Sequence, residues 1–219
     1  IIMQDGLRRM YAEQESVYYY VTCMNENYAQ PAMPREVEQG VLRGMYLLHI
    51  GGRGPIRATL LGSGTILREA LAAAELLERD FGIPADVFSV TSYSELRREA
   101  LAAERIALLH PGAKPPLPYV RECLGGRDGP FIAATDYMKI VADQIRQWVP
   151  GRYVTLGTDG FGRSDSRQAL RGFFEVDRRW IAIAALKALA DEGRIDAAAV
   201  TAAIVKFGID PAKPDPLVS

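Results

Sequence analysis

Residues 157–167 read Gly157-Thr158-Asp159-Gly160-Phe161-Gly162-Arg163-Ser164-Asp165-Ser166-Arg167, and how this run is read decides the fold. The short apolar stretch Tyr153 to Leu156 precedes it. The segment after it carries Leu170, Phe173 and Phe174 at i, i+3, i+4 helical spacing. A strand, a glycine-rich turn and a helix in that order make one unit of an α/β sheet. Gly157, Gly160 and Gly162 permit backbone angles and close approaches that a side chain would forbid. Ser164 and Asp165 are candidate N-caps, because their oxygens can accept from the free N–H groups of a first helical turn. Such a loop can cradle an anion at the helix N-terminus. It can equally be a corner pressed against a neighbouring domain, and the lack of a phosphate-loop lysine favours the corner. Asp159, Arg163, Asp165 and Arg167 would supply charge pairs to that contact.

The same alternation extends outward. Arg57 to Leu61 reads as a strand, followed by a helix from Thr65 to Asp80 with the stripe Leu67, Ala70, Leu71, Ala74, Leu77 and Phe81. Gly82 and Pro84 stop that helix. Asp86 to Val90 reads as a strand, Ser94 to Ala103 as a charged helix, and Ile106 to Leu109 as a third strand ended by His110-Pro111-Gly112. A short helix follows Pro118, Phe131 to Ala134 is a buried strand, and Tyr137 to Val149 a helix. Asp177 caps a helix from Arg178 to Glu192. Asp196 caps another to Phe207, with Ile195 and Val200 as a staple and Gly208 as the stop. Short apolar strands between amphipathic helices predict a three-layer α/β/α fold with a mainly parallel five-stranded sheet. Toward the N-terminus, a helical pattern over Asp5 to Tyr11 precedes the β-prone run Val17-Tyr18-Tyr19-Tyr20-Val21. The aperiodic stretch from Asn25 to Pro34 reads as a linker. The division is therefore 1–34, the end of a preceding domain, and 35–219, a C-terminal domain.

With 48% hydrophobic and 24% charged residues, the 219-residue chain can bury a sizeable core. Its net charge of -1 gives no global attraction to nucleic acid or anionic membrane, and neither is expected as a partner. The apolar window Trp180 to Ala190 is shorter than the roughly 20 residues a spanning helix needs. Cys23 and Cys123 are too few for a disulfide scaffold, which suits a cytoplasmic protein. The opening Ile1-Ile2-Met3-Gln4 leads straight into a helical pattern, as expected for a piece of a longer polypeptide.

Five words in order along the chain carry a family resemblance. They are Asn25-Glu26-Asn27-Tyr28, Pro31-Ala32-Met33-Pro34, Leu61-Gly62-Ser63-Gly64, Thr135-Asp136-Tyr137-Met138-Lys139 and the run from Gly157. Together they resemble the C-terminal domain of transketolase-like, thiamine-dependent enzymes. More narrowly they resemble the homodimeric decarboxylating component of bacterial pyruvate dehydrogenase complexes, which links glycolysis to acetyl-CoA. The resemblance implies thiamine diphosphate and Mg²⁺ as cofactors of the parent enzyme. It also implies a homodimer partner and a dihydrolipoyl acetyltransferase as recipient of the acetyl group. The family's diphosphate motif, Gly-Asp-Gly followed by paired asparagines, has no counterpart here. Its activating glutamate lies earlier than residue 1, so Glu26 reads as structural. No catalytic, cofactor or metal residue is assigned, and the piece alone is expected to be inactive and free of the cofactor.

Gly62-Ser63-Gly64 lacks the third glycine of a dinucleotide fingerprint, which would fall at Leu67. His49, His110 and the two cysteines have no metal-ligand spacing. The candidate residues are therefore Ser63, Gly64, Asp159, Gly160, Gly162, Arg163, Ser164 and Asp165, as an interface or an anion loop. A regulatory small-anion module and a partner-docking module both remain open alternatives to an assembly role.

Overall fold

The computed structural model describes residues 1–24 and 26–219, so Asn25 of the linker word lies outside the described residues. Its sheet is built from β1 (Met45–His49), β2 (Ala58–Ser63), β3 (Ala85–Val90), β4 (Phe131–Ala134) and β5 (Tyr153–Leu156). Their spatial order is β1-β3-β2-β4-β5. Strands β3, β2, β4 and β5 run parallel, and β1 pairs antiparallel with β3 at one edge. The chain moves outward from β2 to β3 and then returns past β2 to β4. The loops after β2 and β4 therefore diverge at a topological switch point.

All six residues of β2 are buried, and successive side chains enter different cores. Leu60 joins Val87 and Ile132 against α3 (Leu67–Phe81) and α8 (Arg178–Asp191). Leu61 joins Phe88, Phe131 and Ala133 against α4 (Tyr93–Leu109), α5 (Tyr119–Leu124) and α6 (Lys139–Asp143). This two-sided burial is the expected three-layer, mainly parallel architecture. Alanines at 70, 73, 74, 182 and 185 let α3 and α8 approach one another closely. Ser92 caps α4 by accepting from the Glu95 N–H, and Gly82 closes α3 at φ 65°. Asp177 caps α8 and Asp196 caps α9 (Ala197–Lys206), as expected. Short α7 (Arg167–Phe173) bridges the loop after β5 and α8. Among the described residues, no helix is long and apolar enough to cross a membrane.

Four expectations are corrected. Ile106 to Leu109 is the last turn of α4, not a strand, and His110 closes that helix by donating its N–H to the Ile106 carbonyl. Nothing between Ser92 and Pro111 breaks the helix, and local hydrogen bonding overrides the β-propensity of aliphatic side chains. The fifth strand is instead Met45–His49, so the count of five holds with a different member. The helix from Tyr137 to Val149 is only α6 plus a 3₁₀ turn at Arg146–Trp148. Met138 is extended at ψ 147°, and Pro150 disfavours helical geometry at Val149.

The fourth correction concerns Val17 to Val21, which forms no ladder among the described residues. Tyr19 is instead drawn onto α1 (Ile2–Leu7). Its hydroxyl donates to Asp5 at 2.6 Å and accepts from Arg9 at 3.0 Å, while its ring packs against Gly6. From Val17 to Tyr20 the side chains alternate, with Tyr18 and Tyr20 exposed. A strand is completed only by a neighbour.

Because Leu60 has no solvent exposure and its site is closed by α3 and α8, Leu60→Ala is expected to destabilise the chain by about 2–5 kcal/mol. Exposed Leu108→Ala should stay within about 0.5 kcal/mol. Urea midpoints with unchanged slopes measure both.

Candidate functional site

At the switch point the two diverging loops are pinned side to side. Ser63 Oγ, buried at the end of β2, donates to Thr135 Oγ1 at 2.8 Å, and that oxygen also accepts from the Tyr137 N–H. Gly64 sits at φ 54°, and a Cβ there would lie 3.0 Å from Asp136 Oδ1. Thr65 Oγ1 donates to Asp136 Oδ2 at 3.4 Å. The chain's own carboxylate thus stands against the N-terminal turn that leads into α3, where free N–H groups favour negative charge.

The loop after β5 is stitched to the loop after β4. The Thr158 N–H donates to the Tyr137 carbonyl at 2.9 Å, and Thr158 Oγ1 donates to the Asp136 carbonyl at 2.9 Å. Asp159 Oδ1 accepts from the Lys139 N–H at 3.2 Å, with Lys139 Nζ 3.9 Å from its other oxygen. Gly160, at φ 105°, lies under the Pro216 carbonyl, where a Cβ would collide with backbone. Gly162 differs: it has open space around it and no left-handed φ. The Arg163 guanidinium lies 4.0 Å from the centroid of the Phe173 ring. The cap of α7 is Ser166, which accepts from the Ala169 N–H, rather than Ser164 or Asp165. Asp165 instead accepts from the Ser166 N–H at 2.6 Å, and Ser164 is exposed. The same two loops expose Phe161 (77%), Met138 and Tyr137, and Ile140 (63%) is exposed on the adjoining first turn of α6.

A family model described as the transketolase-like TK C-terminal domain matches residues 44–177, which include the sheet and both stitched loops. The chain belongs to this transketolase-like C-terminal family. A second model, the pyruvate dehydrogenase E1 component middle domain, matches residues 1–31. The pyruvate dehydrogenase E1 component of Pseudomonas aeruginosa is 60% identical over 99% of this chain and 25% of its own length. That of Escherichia coli K12 is 50% identical over 99% of this chain and 24% of its own length. The chain thus spans about a quarter of the length of these curated relatives. Transketolase from Leishmania mexicana aligns at a TM-score of 0.49 and 15% identity, covering 70% of this chain and 19% of that one.

In this family member the element that sequence reading missed is Glu69, which is only 5% exposed in α3. Its carboxylate accepts from Arg171 at 3.2 Å, and from the backbone N–H, Nε and a terminal nitrogen of Arg178 at 2.9–3.2 Å. Burial alone would push this carboxyl up, but the hydrogen bonds and charge of Arg178, with the charge of Arg171, outweigh it and lower the pKa. A signal was available, because Glu69 lies three residues after buried Ile66 and four before buried Ala73, on the core face. At the opposite end of the sheet, buried Asp86 pairs with Arg57 at 2.8 Å and with Arg127, and accepts from the Gly51 N–H.

These ion pairs join distant segments of the chain. Among the described residues, no group of three His, Cys, Asp or Glu side chains could hold a metal ion. His49 and His110 are exposed and apart, and His110 ends a helix rather than a strand. Burial pushes the Cys123 thiol up, away from the reactive thiolate. A Mg²⁺-diphosphate group needs several fixed oxygen ligands, and the described residues hold no cluster of three carboxylate, histidine or cysteine side chains to supply them. A groove of about 570 Å³ between α1 and α2 (Glu38–Arg43) lies by Arg8, Arg9 and Glu38. Another, of about 420 Å³, lies by Pro115–Pro118 and Trp148.

Gly160→Ala is expected to cost more than about 1 kcal/mol, since it meets both a positive φ and the Pro216 carbonyl; Gly162→Ala should stay within about 0.5 kcal/mol. Paired denaturation curves decide this, and equal effects would contradict it. For Glu69 the folded-state pKa lies below its ordinary 4.5, so its contribution is complete above that value and is lost as pH falls through the folded value. Glu69→Gln should therefore lower stability by about 1–3 kcal/mol at pH 7 and reduce the loss of stability on acidification below about pH 5. Denaturant midpoints from pH 7 to 3 measure both effects.

Proposed function

We propose that this chain is the C-terminal part of a pyruvate dehydrogenase E1 component, with residues 1–34 ending the preceding domain and 35–219 forming an assembly domain. The observation that carries this reading is the 60% identity to such a component over 99% of the chain, at a quarter of that relative's length. The matches at residues 1–31 and 44–177 support the division near Pro34. In this reading the parent is a homodimeric bacterial enzyme of the cytoplasm. It decarboxylates pyruvate oxidatively with thiamine diphosphate and Mg²⁺ and passes the acetyl unit to lipoyl groups on a dihydrolipoyl acetyltransferase.

This domain's share is architectural. Asp159, Gly160 and Arg163 shape their loop, while Phe161, Met138 and Ile140 present apolar surface beside it. Exposed apolar groups on and beside these stitched loops suit a contact with a second copy or with the rest of the parent chain. The anion-loop alternative is disfavoured, because Asp136 already brings negative charge to the turn before α3.

Isothermal titration of the 219-residue chain and of the full-length parent with thiamine diphosphate and Mg²⁺ tests the assignment. Saturable binding and pyruvate turnover are expected for the parent, and neither for the isolated chain. Stoichiometric micromolar binding by the isolated chain would overturn the architectural reading. A full-length parent inactive toward pyruvate would overturn the enzyme assignment.

A further inference from the structure

Helix α7 is held in an unusual way. It has seven residues and none of them is buried, so neither length nor a core face accounts for its order. Besides the Arg171–Glu69 pair, what holds it comes from two distant parts of the chain. From the N-terminal side, Glu26 pairs with Arg167, and Tyr28 Oη accepts from Arg171 at 3.4 Å. The Tyr28 ring also lies 4.7 Å from the guanidinium of Arg68, which fastens the linker to α3. From the C-terminal side, Lys213 Nζ donates to the Phe173 carbonyl and to Glu175, each at 2.8 Å. Lys213 also stands 5.2 Å from the centroid of the Phe173 ring, the ring on which Arg163 lies. The Pro216 carbonyl presses on Gly160 in the loop before α7. Glu175, a non-glycine residue, is held at φ 62°, a conformation that costs energy unless its surroundings impose it.

We propose that α7 is a two-sided latch, coupling the docking of the linker at Glu26–Tyr28 to the docking of the C-terminal tail from Ile209 to Ser219. In the contacts described, the two segments share α7 and its flanking loops and do not meet each other; Ile209 at the start of the tail also packs on the core and Lys213 lies 5.7 Å from the Trp180 ring of α8. A helix with no buried face and two external clamps is ordered by both together, so opening one side weakens the hold on the other. Arg171 is the joint, because it binds Tyr28 on one side and the anchored Glu69 on the other. The latch would carry a disturbance at the C-terminal tail to the segment that precedes the domain.

Hydrogen exchange by mass spectrometry on the full-length protein tests this, with Lys213→Ala, Tyr28→Phe and the double variant. Lys213→Ala is expected to speed exchange at least about threefold in 26–30 as well as in 167–175, with 58–63 and 131–134 unchanged. Tyr28→Phe, which keeps the ring and loses only the acceptor, should speed exchange in 209–219. The double variant should show less than the product of the two single effects. Lys213→Arg, which keeps the charge, should restore much of the protection. If Lys213→Ala changed only 167–175 and 209–219, or if the two effects simply multiplied, the two docking events would be independent and the latch would be wrong. Loss of protection in 58–63 with either single variant would also overturn it, because the tail or linker would then be supporting the core directly.

Discussion

Strand β2 has to be covered on both faces, and the layout of the domain follows from that constraint. Leu60 and Leu61 point to opposite sides, so one helix layer cannot bury both. On the first side α3 lies so close that a Cβ at Gly62 would be 2.6 Å from the Leu67 Cα. A central parallel strand leaves its carboxyl end as the place where connections diverge. Ser63 is therefore buried there and bonded to Thr135 of the next strand's loop.

Away from the two cores, charge does what apolar burial cannot. Glu69 and Asp86 are carboxylates buried at opposite ends of the sheet, and each gathers two arginines from elsewhere in the chain. A buried carboxylate is tolerable only with such partners, so each fixes where its arginines can lie. Through Arg171 and Arg178, Glu69 sets the entry of α8 and the seat of α7 without any contribution from α7 to the core. The outcome is a carboxyl-end surface whose loops hydrogen-bond to one another.

Much of this was legible in the residues themselves. The apolar runs at 58–61, 86–90, 131–134 and 153–156 are strands, and the caps Asp177 and Asp196 and the stop at Gly82 act where their chemistry says they should. The candidate loop was legible in part. The glycines at 157 and 160 are required by close backbone contacts, whereas Gly162 is not, and the cap proved to be Ser166. Glu69 escaped notice because its importance depends on arginines about a hundred residues away.

What the sequence determined by itself was the local chemistry: which segments are apolar, where helices are capped and stopped, and the absence of a diphosphate motif. Two aliphatic or aromatic stretches were decided only by the tertiary structure, whereas Ile106 to Leu109 is helical through the local bonds of α4. Met45–His49 became a strand because β3 offered it an edge. Val17 to Val21 has no ladder because no strand among the described residues lies beside it. The reason is the reach of the hydrogen bonds. A helix closes its backbone bonds within four residues, so sequence alone can specify it, whereas a strand takes its partners from residues that only the folded chain brings near.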